Sequence, residues 1–200
     1  MEILNRIIGE FKEAFQYFKE RNKNKYYGDR FEEWVVKNSN ISRKGSVHAK
    51  NFEKPFWKFL EWRGDKYIEG YRPISSSSPD LLLECINCDS KIYKTGDIIA
   101  VECKWRSKQS FYLDKECANR YEEYVRNDSK LPIKNLFYVF GFGWYNGNPQ
   151  QVYIIPAKEL YTYSKEKSYP VFYEESTPQR NKRLEKYRHQ HKFLTYLSER

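Results

Sequence analysis

IIAVECKW, Ile98 to Trp105, reads as a buried strand until Glu102 and Lys104 interrupt it. Successive strand side chains point to opposite faces, so Glu102 and Lys104 project together while Val101 and Cys103 point away. A strand meant only for burial would carry neither charge, because an unpaired buried charge is expensive. Upstream, SSSSPDLLLE (Ser75 to Glu84) puts Asp80 ahead of a second apolar strand, Leu81 to Ile86. Between the two lies NCDSKIYKTGD, a polar stretch with turn residues. Paired as an antiparallel hairpin with its turn centred near Lys91, the strands set Asp80 opposite Glu102. Directly opposed Cβ atoms lie about 5 Å apart.

Two carboxylates that close repel by roughly 4 kcal/mol at about 4 Å and an effective dielectric near ~20. Protonation of one acid, neutralisation by Lys104 or a divalent cation would each relieve this. Oxygen ligands from Asp80, Glu102 and a backbone carbonyl suit Mg²⁺, which keeps several waters and takes further ligands from phosphate. Lys104 would then hold or activate the attacking water and offset phosphate charge. Acting as the base itself would require its pKa to fall from about 10.4, so positioning and electrostatic help are the expected role. A surface hairpin with one Asp and a Glu/Lys pair on its wet side produces the same letters. The joint placement, not any one residue, carries the reading.

The whole chain has 200 residues, enough for one domain with a small appended element, and hydrophobic residues at 40% suffice for a core. No apolar run approaches the roughly 20 residues that span a bilayer. Glu2, Glu10 and Glu13 interrupt the first apolar stretch, which is not a secretory signal. A cytoplasmic protein is expected. The formal charge of +9 favours polyanion partners through steering and counterion release. Cys85 and Cys88 have the spacing of half a zinc site, but Cys103 should point to the face opposite Glu102 and Lys104. Free reduced thiols are the expectation.

Leu4, Ile7, Ile8, Phe11, Phe15 and Phe18 form an amphipathic stripe over residues 3–20. The polar run Arg21 to Lys25 separates it from YYGDRFEEWVVKN, where Asp29 is a helix cap and Phe31, Trp34 and Val35 an apolar face. A short helix is expected near Phe56 to Trp62, and another over Lys115 to Asn127 with Cys117, Tyr121, Tyr124 and Val125 inward. Strands are expected at Leu136 to Phe142 and Val152 to Ile155, with GWYNGNP as a turn. Thr177-Pro178 opens a basic C-terminal helix. Helices and strands mix, so the class is α/β.

Pro79-Asp80 and Glu102-Cys103-Lys104 resemble the P-D…(D/E)-x-K signature of the restriction-endonuclease-like nuclease superfamily. GDRFEEWV resembles the helix that precedes it there, often written G-x-x-x-E, with Glu32 four residues after Gly28 and Glu33 facing elsewhere. The likeness covers about residues 26–156 in arrangement, through few motif-specific side chains. It implies a restriction-endonuclease-like core, a central mixed β-sheet flanked by helices, and Mg²⁺- or Mn²⁺-dependent phosphodiester hydrolysis. Asp80, Glu102 and the Cys103 carbonyl would be metal ligands, Lys104 would serve the nucleophilic water, and Glu32 would be an auxiliary catalytic or metal-binding carboxylate.

Three segments follow: residues 1–25 as an N-terminal amphipathic helix and connector, 26–160 as the nuclease-like core, and 161–200 as a basic extension packed on it. The expected function is a DNA endonuclease of restriction, mobile-element or repair type, with nucleic acid as partner and a homodimer where both strands are cut. Lys108, Gln109, Arg183 and Lys186 are the candidate nucleic-acid contacts. The alternatives are a non-catalytic nucleic-acid-binding module on the same fold and a protein-interaction domain using the N-terminal helix. His48, His189 and His191 show no metal spacing, and Gly141-Phe-Gly143 fits a hairpin turn better than a phosphate loop.

Overall fold

The computed structural model describes residues 23–39, 41–42, 57–62, 78–86, 92–128, 131–161, 168–172 and 182–189, with Lys12, Lys19 and Leu194. Its centre is a sheet whose long strands are apolar on both faces, as burial on both sides demands. These strands are β1 (Ile41–Ser42), β2 (Trp57–Trp62), β3 (Leu81–Cys85), β4 (Ile98–Arg106), β6 (Ile133–Phe142) and β7 (Gln151–Pro156), in spatial order β1-β2-β3-β4-β6-β7. β1/β2 and β4/β6 are parallel, and β2/β3, β3/β4 and β6/β7 antiparallel. β5 (Phe111–Asp114) and β8 (Ser168–Phe172) form a second, antiparallel pair. The class is α/β, a central mixed sheet flanked by helices, as expected.

Alternation along each strand divides the core in two. Leu81, Leu83, Ile99, Val101, Cys103, Phe137 and Val139 face Phe31, Val35 and Val36 of α1, the helix over 23–38. Leu82, Ala100, Leu136, Tyr138 and Phe140 face Ala118 and Tyr121 of α2 (Lys115–Glu123) and Ala157 and Leu160 of α3 (Ala157–Leu160). Asp114 caps α2 by accepting from Cys117 N–H at 2.9 Å, an interaction worth about 1 kcal/mol. A π-helical turn, Tyr124–Asp128, continues α2. A 3-10 helix, Lys182–Tyr187, buries Leu184 in the α2-side core, and Leu194 N–H bonds the Asn38 carbonyl at 2.7 Å.

The β3/β4 register is the one the sequence predicts: Leu81↔Val101, Leu82↔Ala100, Leu83↔Ile99 and Glu84↔Ile98. Continued by one residue, it sets Asp80 across from Glu102. Elsewhere the structure corrects the reading. Residues 23–25 are helical, and Gly28 and Asp29 lie within α1 rather than at its start. WKFLEW is strand β2, not helix, because it pairs with β3 and sends Trp57 into the core at 0% exposure. Cys85 is disulfide-bonded, which corrects the expectation of a free thiol there. Cys103 and Cys117 are free. The amphipathic stripe of residues 3–20 lies outside the described residues, of which only helical Lys12 and Lys19 fall in that span. So do the Thr177-Pro178 helix start and two histidines, His48 and His191. No helix among the described residues is long and apolar enough to cross a membrane.

Phe31 of α1 packs directly over Gly141, where a Cβ would stand 2.2 Å from Phe31 Cε2. Phe31 is fully buried and has no room to retreat. Gly141→Ala is therefore expected to destabilise the protein by about 1–3 kcal/mol, read as a lowered urea midpoint. An unchanged midpoint would contradict this packing.

Candidate active site at the end of strands three and four

Asp80 precedes β3 and Glu102 nears the end of β4, and antiparallel pairing brings these ends together. The link is reciprocal. Asp80 N–H donates to Glu102 Oε2 at 3.2 Å, and Cys103 N–H donates to Asp80 Oδ2 at 2.7 Å. Lys104 shares a face with Glu102 and its ammonium bonds Glu102 Oε1. Cys103 points the other way, into the α1-side core. The Glu102 side chain is only 2% exposed and that of Lys104 22% exposed.

Glu32 joins from α1. Trp62 Nε1–H of β2 donates to Glu32 Oε2 at 3.3 Å. Burial is the largest influence on Glu32, and with repulsion from Glu102 and Asp29 it raises the carboxyl from 4.5 to about 7, against the Trp62 hydrogen bond and Lys104. Burial likewise pushes Asp80 well above the usual carboxylate range, helped by Glu102 and Glu32 and opposed by Lys104 and the Cys103 N–H. For Lys104, burial favours the neutral amine, but the charges of Glu102 and Asp80 outweigh it and the net shift is upward. Lys104 is an ammonium here, not a base.

Sequence reasoning missed Tyr121. Its hydroxyl donates to Glu102 Oε1 at 2.7 Å, and the Lys104 ammonium lies 5.7 Å from its ring centroid. The spacing of α2 marks Tyr121 only as inward-facing. That its hydroxyl meets Glu102 depends on α2 crossing β4, which no local pattern encodes. Glu33, by contrast, turns to Lys37 at 3.9 Å, as expected.

The candidate nucleic-acid contacts do not gather on this group. Lys108 is exposed in the bend after β4. Gln109 donates to Tyr153 Oη at 2.9 Å, and Tyr153 donates to Glu185 at 3.0 Å. Lys186 pairs with Glu159 of α3 at 3.9 Å, and Arg183 is half-buried on the 3-10 helix. His189 lies beside β7, its N–H bonding the Val152 carbonyl at 2.8 Å.

No known protein family matches the chain, and no curated protein matches it. Among solved structures, Hjc, a Holliday junction resolvase from the archaeal hyperthermophile Archaeoglobus fulgidus, is similar over 54% of this chain and 78% of its own, at 15% identity and a TM-score of 0.32. A likeness that slight carries no argument.

Two expectations follow from the geometry. Tyr121→Phe removes a donor from a buried carboxylate and should cost about 1–3 kcal/mol in urea unfolding. For Glu32, a carboxyl raised in the folded state binds more protons than the unfolded chain between the two pKa values. Its contribution to stability is therefore full below 4.5 and lost as pH rises through about 7. Glu32→Gln should thus stabilise the metal-free protein by roughly 1–3 kcal/mol near about pH 8 and by little in acid, checked by unfolding at both pH values.

Proposed function

We propose that this chain is a divalent-metal-dependent nuclease that hydrolyses phosphodiester bonds in DNA. One observation carries the reading: the β3/β4 register joins Asp80 directly to Glu102, with Lys104 on the same strand face and Glu32 within electrostatic reach of both. An ordinary hairpin has no use for carboxylates crowded together in a desolvated place. A site for a cation has.

The donor set fits a hard ion. Among the described residues no three His, Cys, Asp or Glu side chains form a metal-holding cluster, so an all-protein cage is not on offer. Mg²⁺ does not require one, being held commonly by one or two carboxylates with water and phosphate. Asp80 and Glu102 with the Cys103 carbonyl are the oxygen ligands proposed, Glu32 contributing through water, and Mn²⁺ would be accepted by the same set. The bound ion would polarise the phosphate and acidify the attacking water.

The chain's own groups do the rest. Lys104, kept protonated by Glu102 and Asp80, would hold the water or a phosphate oxygen and offset developing negative charge. Tyr121 and Lys104 together fix Glu102 Oε1, so this carboxylate is oriented before any ligand arrives. The excess of positive charge would draw the polyanion in.

A second reading, a non-catalytic nucleic-acid-binding module on the same fold, has one observation in its favour. Both Glu102 oxygens are already satisfied within the protein. Cleavage assays separate the two. With Mg²⁺ or Mn²⁺, Lys104→Ala and Glu102→Gln are expected to slow plasmid nicking by about 10²-fold or more while circular dichroism stays that of the parent. Chelation with EDTA should stop cleavage and added metal restore it. A pure parent protein that cuts no linear, supercoiled, branched or single-stranded DNA, yet binds DNA as well after Glu102→Gln, would establish the binding module instead.

A further inference from the structure

At the same end of the sheet, on the α1 side, the surface carries a group of rings that the hydrolytic site does not use. Trp105 follows Lys104 in β4, and Tyr27 of α1 stacks on it with centroids 4.7 Å apart. Tyr27 is 5.8 Å from Trp144, and Tyr26 meets Tyr27 edge-on at 5.3 Å. The Arg30 guanidinium lies 5.4 Å from the Tyr26 ring and 5.5 Å from the Trp144 ring, and bonds the Tyr26 hydroxyl at 2.9 Å. Trp144 leads into Tyr145. Tyr26 and Tyr145, at 54% and 67%, are the two most exposed large hydrophobic residues described.

Exposed rings cost free energy unless something covers them, and these are held out on rigid supports. Tyr145 begins a tight turn closed by its N–H to the Asn148 carbonyl at 2.8 Å and the return bond at 3.0 Å. Asn146 and Gly147 take the positive φ values of 46° and 80° that such a turn needs. Trp34 of α1 pins the turn by donating to Asn148 Oδ1 at 2.9 Å. The first helical stretch adds charge: Lys23, Lys25 and Arg30 are exposed on the helix that carries Tyr26 and Tyr27, against the single carboxylate of Asp29 over residues 23–30.

We propose that this aromatic shelf is a binding site for unstacked bases of a nucleic-acid strand, Tyr26 and Tyr145 offering ring faces while Lys23, Lys25 and Arg30 meet the phosphates. Flat rings interleaved with cations suit single-stranded nucleic acid, because every base has a π-face and the backbone is anionic. Paired bases present only edges and cannot stack there. The inference rests on nucleic acid being the substrate of the neighbouring site, but not on its hydrolysis. It adds a substrate class: strands unpaired next to the phosphate that is cut.

The test uses the full-length protein in EDTA, so that nothing is cleaved. Fluorescence anisotropy compares a labelled oligothymidylate with a blunt duplex of equal length. Tyr26→Ala and Tyr145→Ala are each expected to weaken oligothymidylate binding about tenfold, within the range of single stacked bases, and to leave duplex binding within about twofold. Tyr145→Trp should keep the affinity. Alanine variants that bind oligothymidylate as the parent does, or that lose both ligands equally, would overturn the shelf. So would a parent that binds only duplex. A parent that cuts duplex yet ignores single strands leaves the nuclease standing and removes the shelf, and the reverse outcome spares the shelf alone.

Discussion

The Cys103 amide donates to the Asp80 carboxylate while the Asp80 amide donates to Glu102. This crossed pair of main-chain to side-chain bonds replaces the ladder where β3 starts and β4 runs on. It does two jobs at once. It satisfies amides that would otherwise be orphaned at a buried strand end, and it holds two like charges within reach of one another. Neither carboxylate can leave without uncovering a backbone donor, so folding itself keeps the repulsion in place.

The rest of the molecule is arranged to tolerate that repulsion. Lys104 supplies the compensating charge on the same strand face, Tyr121 supplies a hydroxyl from α2, and Trp62 steadies Glu32 from β2. Four separate elements therefore converge on one strand end, and each arrives there for its own packing reason. α1 sits where it does because Phe31 fits over Gly141, and α2 because Ala118 and Tyr121 cover Ala100 and Tyr138. Apolar burial determines the geometry, and the polar groups exploit it.

What was legible in the chain was what strands encode locally. Alternation alone separated Glu102 and Lys104 from Cys103, and two apolar runs with one turn sufficed to set Asp80 opposite Glu102. The long α1 and β2 were harder. A polar run of lysines continues a helix as readily as it ends one, because lysine is a good helix former. WKFLEW is short enough that helix and strand periods cannot be told apart, and its identity came from the partner strand. β5 and β8 were invisible because they stabilise each other across distant parts of the chain. Tyr121 was found by the structure alone, since an inward tyrosine gives no sign of what its hydroxyl will touch.

Strand β4 is buried on both faces and its neighbours on both sides are registered residue by residue, from Ile99↔Asn135 to Arg106↔Phe142 with β6 and through Val101 with β3. Such a strand has no tolerance for a change of length. One inserted residue ahead of Glu102 would turn the carboxylate into the greasy α1 side and bring the thiol of Cys103 to the place of Lys104. Drift in the length of this chain must therefore be absorbed in the connections, and the spacing from Glu102 to Lys104 is the interval least free to vary.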